Sequence, residues 1–89
     1  MKLTYDPKVN LAYIYLKAKR GRVRTITVSD ELNVDLASDG SVYGIELLNA
    51  NVQLAADGLR QLVIENKQSG KTEKVPLILN APRVHKRAG

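Results

Sequence analysis

The chain contains no cysteine, no phenylalanine and no tryptophan. Without cysteine there is neither a disulfide framework nor a thiolate zinc site. Without Phe and Trp, any core must be built from Leu, Ile, Val, Ala and the four tyrosines. Histidine is nearly absent too. The single one, His85, sits in the short, basic, Pro-broken segment 81–89, APRVHKRAG, expected to be a flexible tail. A catalytic His needs a rigid setting and an orienting partner, so no triad is expected. No segment reaches the roughly 20 apolar residues of a membrane span. Met1-Lys2 leads straight into strand-like sequence with no signal-peptide core, so the expectation is a cytoplasmic protein without membrane contact. Glycine-rich phosphate loops, the Ca²⁺ loop pattern, helix-turn-helix and ribonucleoprotein motifs are all missing. These absences argue against an enzyme, a metal site or a cofactor.

What is present fits one small domain over residues 1–80, followed by the tail. The 89 residues are 44% hydrophobic and carry a net charge of +5, a folded rather than a disordered composition. The charge is unevenly spread. Residues 1–24 hold seven basic side chains and one acid, residues 25–66 one basic side chain and seven acids, and residues 67–89 six basic side chains and one acid. Basic strands pairing with acidic ones would account for this. Separate acidic and basic surfaces for different partners are the sharper alternative.

Residues 32–49, LNVDLASDGSVYGIELLN, organise the chain. Asp39-Gly40 is a strong hairpin signal. With a two-residue turn, Leu36 faces Tyr43, Val34 faces Ile45 and Leu32 faces Leu47, all on one face. Asp35 opposite Gly44 and Asn33 opposite Glu46 occupy the other. Asp35 and Glu46 are the one acid pair on this outward face. Gly44 inside a strand marks a bulge, the simpler reading, or a close approach that lets a group pack against Asp35.

Residues 2–5 read as a first strand ended by an Asp6-Pro7 turn. Residues 11–17, LAYIYLK, are apolar on both faces, which calls for a central place in the sheet. Tyr13 and Tyr15 are expected in or at the rim of the core. A second hairpin is predicted about Arg20-Gly21, pairing Tyr15 with Ile26 and Tyr13 with Val28. It would set Lys19 against Arg22 and Lys17 against Arg24, a repulsion that a bound anion would relieve. Lys17, Lys19, Arg20, Arg22 and Arg24 are therefore the candidate binding residues, with no catalytic or metal residues expected. Val52, Ala55, Ala56 and Leu59 recur at helical spacing. They predict about two turns of helix, capped by Asn49 or Asn51 and ended by Asp57-Gly58. A third hairpin about Ser69-Gly70 would set Leu62 against Leu77, Ile64 against Val75 and Glu65 against Lys74. Pro76 marks its strand as an edge.

The stretches KLTYDPKVNLAYIYL and DGSVYGIELLNA resemble a bacterial family known as the domain of unknown function numbered 2283. The resemblance covers residues 1–52. It departs at Asn10, where many members carry an acid, and gives no support beyond residue 59. The family has no established activity, so the resemblance implies a fold and not a reaction. It also implies a place in toxin–antitoxin-like pairs. Residues and resemblance together predict an α+β fold, mostly antiparallel sheet built from hairpins, with one short helix. The expected role is non-catalytic binding or assembly, with a protein partner or self-association as a homodimer. The alternative is a nucleic-acid-binding module using residues 17–24 and the tail, where Arg83, Lys86 and Arg87 would join the basic turn.

Overall fold

The structure, a computed structural model, describes residues 1–18 and 21–79. Lys19, Arg20 and the tail with His85, Arg83, Lys86 and Arg87 lie outside the described residues. Seven strands and one short helix follow in order: β1 (Lys2–Asp6), β2 (Leu11–Tyr15), β3 (Val23–Ser29), β4 (Leu32–Ala37), β5 (Val42–Leu48), α1 (Ala50–Gln53), β6 (Gln61–Glu65) and β7 (Thr72–Pro76). The first five form one antiparallel sheet in the order β1-β2-β5-β4-β3, and β6 and β7 form a separate two-stranded ribbon.

The first turn forms as its residues dictate, with the Asp6 carboxylate accepting the Lys8 N–H at 2.9 Å. β2, apolar on both faces, lies between β1 and β5. The predicted hairpin between residues 11–17 and 23–28 does not form, although both strands do. β2 pairs with β5 instead, placing Ile14 beside Ile45 and Ala12 beside Leu47, while β3 pairs with β4. This Greek-key arrangement gives β2 two apolar neighbours and removes the Lys17–Arg24 opposition that a local hairpin would have forced. Beyond β2 the Leu16 N–H donates to the Tyr43 carbonyl at 2.9 Å.

The central hairpin has its predicted register from Leu32↔Leu47 to Asp35↔Gly44. Its tip differs. Gly40 N–H donates to the Ala37 carbonyl (2.9 Å), Ala37 N–H donates to the Ser41 carbonyl (2.8 Å), and Gly40 takes φ +88°. This is a three-residue loop with glycine in the left-handed region, a common alternative to the two-residue turn. It pairs Leu36 with Val42, so Tyr43 becomes the extra residue of a bulge that restores the register at Gly44. Tyr43 consequently leaves its predicted place opposite Leu36 and turns its ring toward Tyr13 and Tyr15, at centroid distances of 6.3 and 6.2 Å.

The third hairpin also forms in a different register, Leu62↔Val75 and Ile64↔Glu73, two residues from the predicted one. Asn66 decides it. Its side-chain oxygen accepts the N–H groups of Gln68 (2.9 Å) and Ser69 (3.1 Å). Gly70, at φ +73°, donates to the Asn66 carbonyl at 2.8 Å. The result is a four-residue loop in place of a turn centred on Ser69-Gly70.

The helix is one turn, not two. Asn49, at φ 52°, makes no side-chain cap. The cap comes from a distant residue: Asn10 Oδ1 accepts the Asn51 N–H at 2.9 Å, and Asn10 Nδ2 donates to Asn51 Oδ1 at 2.8 Å. Gly58 turns the chain out of the helical region at φ 77°.

Candidate functional site

Register and pleat divide the five-stranded sheet into two faces. One carries Tyr13, Tyr15, Thr25, Asn33, Asp35, Gly44 and Glu46. The other carries Leu3, Ala12, Ile14, Ile26, Leu32, Val34, Ile45 and Leu47.

The tyrosine face carries a hydrogen-bonded network. Asp35 is 8% exposed. One carboxylate oxygen accepts the Tyr13 hydroxyl at 2.6 Å and the other the Thr25 hydroxyl at 2.5 Å. Tyr13 starts from β2 and must cross β5 to reach Asp35 on β4. It does so over Gly44, where an added Cβ would stand 2.3 Å from Tyr13 Cε1. Gly44 therefore serves a close approach against Asp35, with the bulge one residue away at Tyr43. Glu46 is occupied as well, accepting from Asn33 Nδ2 at 2.8 Å. Asp35 and Glu46 thus each accept hydrogen bonds from neighbouring side chains. The rings of Tyr13 and Tyr15 lie 4.5 Å apart, and Lys2 Nζ sits 4.6 Å above the Tyr15 ring.

Of the candidate basic residues, Lys17, Arg22 and Arg24 are among the described residues. Lys17 is drawn to the acidic hairpin tip, where its ammonium donates to Ser41 Oγ and lies 3.8 Å from Asp39. Arg22 is exposed ahead of β3, and Arg24 is exposed within it, on the aliphatic side opposite Leu36. The structure thus places Lys17 apart from Arg24, against an acid rather than against a like charge. The Asp39 carboxyl is held below the ordinary carboxylate range. The Ser41 hydroxyl and N–H contribute most, and Lys17 adds to them. An open cleft of about 380 Å³ is lined by Lys2, Tyr15, Lys17 and Tyr43 among others. Its two lysines are the ones engaged with the Tyr15 ring and the Ser41–Asp39 tip.

The aliphatic face carries no such network. Of its residues only Ala12 is buried, between Tyr5 and Leu47 in the ladder. Ile14, Val34, Ile45 and Leu47 are half-buried, and Leu3 and Ile26 are exposed. The β6–β7 ribbon is exposed on both sides, including Leu62, Val63, Ile64 and Val75. Sequence reasoning placed Tyr13 and Tyr15 in or at the rim of the core; what it set aside as the less simple reading, a close approach at Gly44 against Asp35, is what forms.

Among the described residues no group of three or more His, Asp or Glu side chains is placed to hold a metal ion, and no helix is long and apolar enough to cross a membrane. Fold and surfaces define a small α+β protein with an antiparallel Greek-key sheet, one face carrying a tyrosine–carboxylate hydrogen-bond network and the other aliphatic. The family model described as "Protein of unknown function (DUF2283)" matches residues 2–51, and the chain belongs to that family. The match ends just inside α1, so the β6–β7 ribbon lies outside it. No curated protein and no solved structure matches the chain.

Proposed function

We propose that this chain is a non-catalytic assembly protein that works by packing its aliphatic sheet face against another polypeptide. One observation carries this reading: a five-stranded sheet leaves Ile14, Val34, Ile45 and Leu47 half-buried and Ile26 41% exposed. A contiguous apolar patch of this kind marks an interaction surface, and an antiparallel sheet ordinarily packs its apolar face. The alternative, nucleic-acid binding through Lys17, Arg22 and Arg24, is supported by the net charge of +5 but weakened by the pairing of Lys17 with Asp39 and Ser41. A toxin–antitoxin-like pairing remains a proposal that the same face would serve, with a different protein as occupant.

Light scattering on the full chain tests the reading. Association is expected at micromolar concentration. It should be lost in Ile26→Lys, a position already exposed and therefore tolerant of charge, with the circular dichroism spectrum unchanged. A wild-type monomer at high micromolar concentration, or steeply salt-dependent binding to DNA or RNA that Ile26→Lys leaves intact, would reverse the choice.

A further inference from the structure

Resting on that reading, we propose that the occupant of the aliphatic face is the β6–β7 ribbon of a second copy, the two chains exchanging ribbons. An isolated two-stranded hairpin is marginally stable in water, so this ribbon needs a surface. It is two-sided. Leu62, Ile64, Val75 and Glu73 fall on one side, while Gln61, Val63, Glu65, Thr72 and Lys74 fall on the other. The first side is a short apolar stripe ending in one acid. The aliphatic sheet face is an apolar field ending in one base, Arg24, beside Leu36 at the end of β3. Neither Arg24 nor Glu73 is ion-paired among the described residues. The two surfaces are thus complementary in both apolar character and charge. Each chain carries both, which is what a two-fold exchange requires.

The connection suits an arm. Gly58 and Arg60 both take positive φ, 77° and 54°, and the ribbon stands off its own sheet with Leu62, Ile64 and Val75 40–47% exposed. With its turn directed toward β3, the ribbon would bring Glu73 to the partner's Arg24 and lay Ile64 and Leu62 over Val34 and Ile45.

The absence of cysteine makes the test clean. Val34→Cys and Ile64→Cys are made singly in the full chain, mixed after unfolding and refolding, and treated with a short bismaleimide. A linker is needed because packed sheets stand about 10 Å apart, beyond disulfide reach. Exchange predicts cross-linked dimers joining a Val34→Cys chain to an Ile64→Cys chain, with little product from either variant alone. Arg24→Glu should abolish the product, and adding Glu73→Arg should restore it. Efficient cross-linking of Val34→Cys to itself would mean that two sheets pack face to face, overturning the ribbon but not the assembly. A doubly substituted chain that cross-links only within itself would show the ribbon folding back, and both proposals would fall. Monomers without cross-links would also remove both.

Discussion

Gly44 is the residue on which the tyrosine face depends. Its missing side chain is the space the Tyr13 ring crosses to reach Asp35. Gly44→Ala would put a methyl group 2.3 Å from Tyr13 Cε1 and 2.7 Å from Cζ. The ring would have to move and the 2.6 Å bond to Asp35 would break. A loss of about 1–3 kcal/mol is expected from overpacking alone. The two sites should be strongly coupled. In a Tyr13→Ala background the same Gly44→Ala change should cost almost nothing, because the clash is gone and alanine suits a strand better than glycine. Chemical denaturation of the four-member cycle measures this, and additive effects would contradict it. Asp39 gives a second, pH-dependent expectation. Its carboxyl is held below the ordinary range first by Ser41 and then by Lys17. A depressed folded pKa contributes stability above the unfolded value and loses it as pH falls through the folded one. NMR titration should therefore show Asp39 moving toward the ordinary range more in Ser41→Ala than in Lys17→Gln.

At the scale of elements, the turns explain what could and could not be read ahead of the structure. Strand positions followed from alternation, and the inner part of the central hairpin from its matched apolar pairs. The tip was a matter of loop type. Asp-Gly serves two- and three-residue loops alike, and the one-residue difference was absorbed by the bulge at Tyr43. In the third hairpin a two-residue shift keeps every side chain on its own side, so alternation was blind to it and Asn66 settled the register. The β2–β5 pairing was out of reach for local reasoning, because β2 and β5 are far apart in sequence and only the competition between partners selects it. The helix cap was hidden for the same reason, since Asn10 supplies it from the β1–β2 turn. Asn10→Ala should cost about 1–2 kcal/mol, seen as early loss of amide protection at Asn51. Gly40→Val should cost a similar 1–3 kcal/mol, because a β-branched residue resists the positive φ found there. An unchanged melting temperature would contradict the loop geometry.

At the scale of the whole molecule, the two faces of the sheet reverse the usual division. The polar side holds the buried Tyr43 and Asp35, and the aliphatic side holds no large buried residue. Such a chain has an unfinished core, and its stability should be coupled to its assembly. If folded chains exist mainly as dimers while unfolded chains are single, stability must rise with concentration. Each tenfold increase adds about 1.4 kcal/mol per dimer. The melting temperature of the wild type should accordingly climb across a dilution series, and unfolding followed by near-ultraviolet tyrosine signal should shift with it. Ile26→Lys should melt lower and at a temperature independent of concentration, because it removes the association and leaves the tyrosine face intact. A wild-type melting temperature that stays constant over a hundredfold range of concentration would mean that the sheet is stable with its aliphatic side open to water.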